Sequence, residues 1–266
     1  MRARILTAVL LAALVIGVLY VLPDQAAIGA IALVMLAGAW EWAAFAGLRS
    51  ARGRAGYVAL VAAAIWALWA ASRDGASLRT ILALTMLWWL AGLLWLTFAA
   101  RRGGRLAAAL AGLAVLAPAT VGLARLVLIE PHGRALLLFL LVLIAAADVG
   151  AFFGGRRFGR RKLAPVVSPG KTWEGLMWGM LAASLAATVG AVLLGQPLLP
   201  WLLLSLAVAL VSVVGDLVES MFKRRTGLKD SGRLLPGHGG VLDRIDSLTA
   251  AAPAFMLGLL ALGWTA

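Results

Sequence analysis

Residues that could do chemistry are concentrated in one stretch of the chain, from Ser220 to Asp246. This stretch holds six of the 24 Lys and Arg residues, three of the 11 acidic residues, and one of the two histidines, His238. The sequences on both sides of it are strongly apolar and have the composition of membrane spans. Because charged side chains are costly next to lipid, a dense mixed-charge segment between two such spans indicates a functional site.

Four carboxylates occur as two pairs with the same spacing, Asp216 with Glu219 and Asp243 with Asp246. Residues three apart on a helix share a face, so each pair would project from one helix end. Mg²⁺ is usually bound by one or two carboxylates together with substrate phosphates and water. We therefore predict that Asp216, Asp243 and Asp246 hold a metal ion. Glu219 could be a ligand or the partner of a nearby lysine, and for Asp230 metal binding and ion pairing are equally compatible with the sequence.

A second polar segment, Ser168-Pro169-Gly170-Lys171-Thr172, partly matches a phosphate-binding P-loop. That motif requires a glycine where this chain has Pro165, and it requires a strand–helix unit, so we reject a P-loop. Ser168 or Thr172 could still cap the helix that follows. Lys171 would then lie at the positive end of that helix, which favours phosphate. The alternative is an ordinary helix cap with a lysine that only sets membrane topology.

The remaining candidates are glycines, cations and His238. Gly239 and Gly240 permit backbone conformations and close approaches that other residues do not. His238, between glycines, could position a phosphate or transfer a proton, although a histidine in a turn is more often structural. Arginine presents a fork of donors that suits phosphate. The cations that we select as candidates are Lys223, Arg224, Lys229 and Arg244.

The composition is that of a polytopic membrane protein. The 266 residues are 63% hydrophobic with a mean hydropathy of +0.99, and only 13% are charged. The absence of cysteine excludes disulfides, thiolate metal sites and a cysteine nucleophile. The net charge of +13 is explained mainly by basic loops that set topology, and secondly by an anionic ligand or lipid headgroup. Nucleic acid is not an expected partner, because the basic residues lie between spans rather than on one domain surface.

We predict an all-α fold with about nine transmembrane helices, forming a single membrane domain over residues 1–266. A span needs about 20 mostly apolar residues. Residues 1–134 would supply N-terminal spans, and residues 135–266 would supply the catalytic spans and loops. Pro118 is expected to kink the fifth span. The predicted spans are Ile5–Leu22, Ala27–Phe45, Tyr57–Ala71, Thr80–Ala100, Leu106–Ile129, Ala135–Phe153, Gly175–Gly195, Leu198–Val218 and Ser247–Trp264.

The distribution of positive charge predicts the orientation of these spans. With the N-terminus in the cytoplasm, 20 of the 24 Lys and Arg residues fall on the cytoplasmic side, whereas Arg73, Arg79 and Arg134 fall outside. This asymmetry favours a cytoplasmic N-terminus and an external C-terminus. Glu41 and Arg125 lie within the first five spans, and we expect both to reach the membrane surface without joining the site. Seven acids collect at the cytoplasmic face: Asp148, Glu174, Asp216, Glu219, Asp230, Asp243 and Asp246.

These segments together resemble the signature of the phosphatidate cytidylyltransferases, the CDP-diacylglycerol synthases. The resemblance is specific from Asp148 onward, and before that residue it rests only on the multi-span layout. The matching residues are Ser168 to Gly175, Gly215 to Ser220, Lys223-Arg224, Lys229-Asp230, Pro236-Gly237-His238-Gly239-Gly240 and Asp243-Arg244-Ile245-Asp246.

The resemblance implies transfer of CMP from CTP to phosphatidate, which yields CDP-diacylglycerol and pyrophosphate for phospholipid biosynthesis. It implies a bacterial inner-membrane enzyme with a cytoplasmic active site that uses Mg²⁺, with or without a second cation. The partners would be CTP, phosphatidate and the bilayer, and a homodimer is one option. Catalytic roles would fall to Asp243, Asp246, Lys229 and His238, and substrate binding to Ser168, Lys171, Thr172, Lys223, Arg224, Gly239, Gly240 and Arg244.

Two other classes of function stay open at this point. A different lipid enzyme is one, either a CTP-dependent lipid kinase, which would release CDP, or a CDP-alcohol phosphotransferase, whose spaced-aspartate motif this chain lacks. The other is a transporter for an anionic solute. A transporter would carry polar residues near the bilayer midplane in matched halves. Here the polar residues are concentrated at one face and in the C-terminal half, which argues against transport.

Overall fold

The computed structural model of this chain describes residues 13–100, 103–232, 234 and 239–264. Over these residues the protein is a bundle of long helices with one short hairpin, which confirms the all-α prediction. Residues 13–21 form a helix, α1. The remaining elements are α2 (Asp24–Trp42), α3 (Ala51–Ala71), α4 (Gly75–Ala99), α5 (Arg105–Val127), α6 (Gly133–Phe158), β1 (Lys162–Ala164), β2 (Ser168–Thr172), α7 (Trp173–Leu193), α8 (Leu198–Arg225) and α9 (Leu242–Ala261).

Helices α2 to α9 are each long and apolar enough to cross a membrane, so the described residues contain eight candidate spans. They correspond one to one with the second to ninth predicted spans. The first predicted span, Ile5–Leu22, lies partly outside the described residues, and its described part coincides with α1. The short third span is confirmed, since α3 begins at Ala51, before the predicted Tyr57. Helix α8 continues from the predicted end at Val218 to Arg225 and therefore carries the first charges of the signature.

The hairpin between α6 and α7 was not predicted. Strands β1 and β2 are antiparallel, with Lys162 opposite Thr172 and Ala164 opposite Ser168. Strand signals were absent because the segment is short and carries Pro169 and Gly170. The hairpin ends at Thr172, whose side chain caps α7 by accepting a hydrogen bond from the Gly175 N–H at 3.1 Å. It therefore fixes the polar segment at the mouth of the bundle.

The outer surface of the bundle is apolar, as a lipid-facing surface must be. Phe98 is 84% exposed and Val192 is 79% exposed, whereas Trp42, Phe222 and Phe255 are fully buried. Large apolar side chains in contact with water would be unfavourable, so these exposed residues mark the surface that faces the acyl chains. The interior is built around α5 and α9, most of whose residues are enclosed by the other helices.

Close helix packing brings the candidate residues together. Helices α8 and α9 approach at Gly215, where an added Cβ would lie 2.7 Å from the Asp246 carbonyl oxygen. Helices α6 and α7 approach at Gly150, where a Cβ would lie 2.6 Å from the Ala182 Cβ. Such small-residue contacts allow membrane helices to pack backbone against backbone. As a result, the ends of α6 and α8 and the starts of α7 and α9 converge at one face of the bundle.

Candidate active site

A cavity of about 500 Å³ lies between α6, α7 and α8, and we call it the α6–α8 cavity. Its polar end is formed by Asp148, Ser168, Lys171, Thr172 and Asp216. The Lys171 Nζ lies 2.6 Å from Asp216 Oδ2, which joins the hairpin to α8. Both side chains are about a quarter exposed, so this ion pair is open to exchange with a ligand. The sequence could not predict this pair, because the two residues are far apart along the chain.

Two carboxylates, Asp148 and Asp216, line the polar end of this cavity, and a third, Asp246, lies behind it on α9. Asp216 is close enough to interact electrostatically with both Asp148 and Asp246, and Lys171 interacts with the same two residues. The Ser220 hydroxyl donates a hydrogen bond to Asp216 Oδ1 at 3.2 Å. These three carboxylates outnumber the two lysines that interact with them, Lys171 and Lys223, and such an excess of negative charge is unfavourable unless a further cation is bound. This arrangement therefore provides the electrostatic conditions for a metal ion.

Lys223 forms the second charged centre and joins α8 to α9. Its Nζ lies 3.0 Å from Glu219 Oε1 on the same helix and 2.7 Å from Asp243 Oδ1 on α9. The Glu219 side chain is only 2% exposed, and that of Lys223 is 11% exposed. Of the two roles that the sequence allowed for Glu219, the structure supports the ion pair with Lys223. A buried carboxylate next to lipid requires such a counter-charge.

Asp243 is held on several sides at the start of α9. Besides Lys223, its carboxylate accepts hydrogen bonds from the Ser231 N–H at 3.0 Å and the Gly240 N–H at 2.9 Å. Gly239 has a φ of +82°, a conformation that favours glycine, and an added Cβ would lie 3.1 Å from Asp243 Oδ2. The predicted glycines therefore let the chain turn around Asp243. We call the described residues between α8 and α9 (226–232, 234 and 239–241) the signature loop.

The prediction that Glu41 lies apart from the site is wrong. We expected it to reach the membrane surface, but it is 2% exposed and lies under the signature loop. Its Oε2 accepts hydrogen bonds from the Ser231 hydroxyl at 3.0 Å and the Leu242 N–H at 2.8 Å, so α2 caps α9. The other carboxylate oxygen, Oε1, has no hydrogen-bond partner among the described residues. The sequence did carry a signal for this role, because an acidic residue within an apolar span usually has a function.

The glycines around Glu41 show how tightly it fits. A Cβ added to Gly232 would collide with Glu41 Oε1, and one added to Gly240 would collide with the Ser231 hydroxyl and approach Glu41 Oε2 to 2.5 Å. The loop can wrap the carboxylate only because both positions lack a side chain. Glu41 is therefore a positioning residue for the segment that holds Asp243.

Arg125, the other charged residue in the first five spans, stays outside the site as expected. It donates hydrogen bonds to the Ser72 hydroxyl at 3.0 Å and to the Trp69 carbonyl at 3.3 Å. Its guanidinium also lies 4.0 Å from the centre of the Trp69 ring. These contacts tie α5 to α3 at the membrane face opposite the site.

The structure distributes the other predicted residues over separate positions. Arg224 donates a hydrogen bond to the Val167 carbonyl at 3.3 Å and links α8 to the hairpin. Lys229 and Asp230 line a different cavity. Arg244 is exposed in the first turn of α9. Glu174 accepts the backbone N–H of Arg160 at 2.9 Å and closes the connection to α7. His238 lies outside the described residues, so its role stays a prediction.

The predicted metal ligands fit a cation to different degrees. Within the described residues, no three acidic or histidine side chains form a ready-made metal cage. Mg²⁺ does not require one, since one or two carboxylates with substrate phosphates suffice. Asp216 and Asp246 satisfy this condition, and Asp148 adds charge beside them. Asp243 is less suited, because both of its oxygens already accept hydrogen bonds.

Comparison of the sequence with known proteins shows which family the chain resembles. Residues 2–262 match the cytidylyltransferase family. A phosphatidate cytidylyltransferase of Pseudomonas aeruginosa is 46% identical, and the alignment covers 100% of this chain and 99% of the relative. A phosphatidate cytidylyltransferase of Haemophilus influenzae is 39% identical over 96% of this chain and 97% of the relative.

Removing the cation from the Glu219–Lys223–Asp243 cluster should destabilise the protein. We expect Lys223→Met to lower the free energy of unfolding by about 3 kcal/mol, because it leaves a buried carboxylate without a partner. Adding Glu219→Gln should recover part of that loss. Thermal unfolding in detergent measures both effects, with exposed Lys162→Met as the control. Equal stability of Lys223→Met and the control would show that Lys223 does not stabilise the contact between α8 and α9.

Removing the Glu41 carboxylate should loosen the signature loop. We expect Glu41→Leu to increase amide hydrogen exchange in residues 228–232 and at the start of α9, because two hydrogen bonds are lost. Glu41→Gln, which keeps an acceptor, should increase it less. Glu174→Gln is a matched control that should affect only residues 160–175. Unchanged exchange near Ser231 in Glu41→Leu would show that α2 does not hold the loop.

Proposed function

This chain belongs to the cytidylyltransferase family, and we propose that its α6–α8 cavity is where CMP is transferred from CTP to phosphatidate. The products are CDP-diacylglycerol and pyrophosphate. The chain is accordingly a nucleotidyltransferase of phospholipid biosynthesis, embedded in the membrane by its apolar helices. The experiments below test the reaction and the residues that carry it.

The observation that carries the proposal is the two-sided lining of the α6–α8 cavity. One end presents charged groups, including Lys171, Asp216 and Asp148. The other end is apolar and lies within the spans, where Leu176, Met180 and Val213 form the wall together with small residues. A phospholipid has the same two-sided character. Its phosphate would meet Lys171 while its acyl chains remain among the helices and the surrounding lipid.

The chemistry is an in-line displacement between two anions. A phosphate oxygen of phosphatidate forms a bond to the α-phosphorus of CTP. The bond from that phosphorus to the oxygen bridging the β-phosphate breaks, and pyrophosphate leaves with the electron pair. The attacking oxygen is already ionised, so neither a strong base nor a covalent protein intermediate is needed. Catalysis then depends on positioning and on neutralising the charge of the phosphates.

The ion pairs of the site suit this task because each can exchange partners. Lys171 is paired with Asp216 and Lys223 with Asp243, so both lysines have carboxylate partners in the site without substrate. A phosphate can take over Lys171, which leaves the Asp216 carboxylate free. Asp216 and Asp246 would then hold Mg²⁺, which would supply positive charge against the developing negative charge on the phosphates. Asp243, fixed by the loop, would hold Lys223 in place.

We further propose that the site faces the cytoplasm of a bacterial inner membrane. Basic residues in the described connections after α2, α6 and α8, such as Arg49, Arg160 and Lys229, lie at the face where the cavity opens. Segments rich in Lys and Arg are retained on the cytoplasmic side. CTP is a soluble substrate, so a cavity that opens to the cytoplasm would let CTP enter the site directly from the cytoplasm.

The reaction can be tested directly with purified protein in detergent. With α-labelled CTP, phosphatidate and Mg²⁺, we expect label in the lipid phase and release of pyrophosphate in equal amounts. Both products should disappear without phosphatidate, and chelation of the divalent ion should abolish both. Release of CDP without labelled lipid would indicate a lipid kinase instead. Binding of CTP with neither product would refute the proposed transfer.

Asp216→Asn should reduce turnover without unfolding the protein, because the residue is partly exposed and asparagine has the same shape. We expect kcat to fall by about 100-fold or more, as is typical when a group that stabilises the transition state is removed. Asp74→Asn is a matched control on the opposite membrane face, where Asp74 only caps α4, and it should retain activity within about twofold. Near-normal activity of Asp216→Asn would exclude it from the site.

A further inference from the structure

A second and larger cavity lies at the same membrane face but outside the α6–α8 cavity. Its volume is about 1060 Å³, and its walls come from the connections after α2 and α4 and from the segment after α8. Five cations line it against one acid, Asp230. We call it the basic cavity, and its cations are Arg49, Arg54, Arg105, Arg225 and Lys229.

Helix α8 separates the two cavities. Asp216 lines the α6–α8 cavity, whereas Phe222 and Arg225 line the basic cavity. Asp216 and Arg225 are about two and a half turns apart at 3.6 residues per turn, so they project from opposite sides of the helix. The basic cavity is therefore a distinct site, and the catalytic residues assigned above do not line it except for the sequence candidate Lys229.

The cations of the basic cavity differ in whether their side chains bond to other parts of the protein. Arg225 donates hydrogen bonds to the Ala100 carbonyl at 2.7 Å and lies 4.5 Å from the centre of the Trp95 ring, so it closes the end of α4. In contrast, Arg49, Arg105 and Lys229 make no side-chain hydrogen bond or ion pair with any described residue. The five lining cations outnumber the one lining acid, Asp230, and they repel one another unless an anion is bound.

The backbone of the cavity wall also favours an anion. Gly104 is the N-cap of the long helix α5, and no side chain caps its first N–H groups. Gly47 has a φ of +77° and Gly103 a φ of +135°, conformations that favour glycine, so the two loops curve around the space instead of filling it. Uncapped N–H groups at the positive end of a helix, with Arg105 in the first turn, match the chemistry of phosphate.

We propose that the basic cavity binds a phosphate-bearing anion, either a phosphomonoester headgroup or a soluble diphosphate, at a site distinct from the α6–α8 cavity. The volume is large enough for either, since ligand pockets typically span about 300–1,000 Å³. Charges that only set topology need to lie on the correct side of the membrane. They do not need to line one glycine-walled cavity. The proposal does not depend on the reaction assigned to the α6–α8 cavity.

Binding in the basic cavity would also affect the signature loop, because part of that loop forms the cavity wall. The wall of the basic cavity includes Leu228 to Gly232. Within this segment the Ser231 N–H donates to Asp243, and the Ser231 hydroxyl donates to Glu41. An anion held by Lys229 would therefore order the segment that fixes Asp243.

The test uses the absence of cysteine from this chain. Gly104→Cys introduces one thiol at the cavity wall, where an added Cβ meets no atom within 4 Å. The rate of its alkylation by N-ethylmaleimide is measured with pyrophosphate in detergent, and separately in nanodiscs of phosphatidylcholine with or without phosphatidate. We expect a bound phosphate to slow alkylation by about fivefold or more through reduced access and a less positive environment. The matched reporter Gly56→Cys, also unobstructed but outside the cavity, should not respond.

The protection should require the cavity arginines. We expect it to disappear when Arg49→Gln, Arg54→Gln and Arg105→Gln are added, and to persist with Arg52→Gln, Arg157→Gln and Arg160→Gln, which remove equal charge elsewhere on this face. If the triple variant does not fold, Arg49→Gln alone should weaken pyrophosphate or phosphatidate binding by about threefold or more. Protection by pyrophosphate identifies a soluble ligand, and protection only by phosphatidate nanodiscs identifies a lipid headgroup. No protection with either probe, or protection that survives loss of the cavity arginines, would overturn the proposal.

Discussion

The structure of the site depends on one lysine shared between two helices. Lys223 lies 3.0 Å from Glu219 on α8 and 2.7 Å from Asp243 on α9. Glu219 is the more buried of the two carboxylates and depends on this lysine for its counter-charge, whereas Asp243 also accepts backbone hydrogen bonds from Ser231 and Gly240. Because the same ion holds both helices, the first turn of α9 is fixed relative to α8. Asp246, one turn further along α9, is thereby placed beside Asp216.

The continuation of α8 beyond the apolar part of the span makes this possible. A helix that ended at Val218 would leave Glu219 and Lys223 in a loop, without the regular spacing that makes them neighbours. Because α8 continues as a helix through Arg225, Asp216, Glu219 and Lys223 share one face, and Arg225 projects from the opposite face. The first face meets the hairpin and α9 through Lys171 and Asp243, whereas Arg225 meets the end of α4. One rigid element therefore sets the geometry of the α6–α8 cavity, the Glu219–Lys223–Asp243 cluster and the basic cavity together.

Much of this could be predicted from sequence, and the exceptions have a common cause. The spans follow from the lengths of the apolar segments. The Glu219–Lys223 ion pair was one of the two roles predicted for Glu219, because residues four apart on a helix are neighbours. The Lys171–Asp216 pair, the hairpin and the role of Glu41 depend on which helices are neighbours, and apolar periodicity in a membrane does not encode neighbours. Lys229 illustrates the same limit, since it belongs to the same sequence signature as Lys171 and Asp216 but lines the basic cavity instead of the α6–α8 cavity.

Glu41 also changes how the N-terminal half of the chain should be understood. The specific motifs all occur after Asp148, which suggests that the earlier spans only anchor the protein. Yet the start of α9 is capped by a carboxylate from α2, and two glycines of the signature loop lack side chains where that carboxylate lies. A buried acid with one oxygen that no described residue hydrogen-bonds is costly, and such a cost is tolerated where position matters. The glycine-rich loop and α2 are therefore complementary parts of one site, and the loop would not keep this conformation on the C-terminal helices alone.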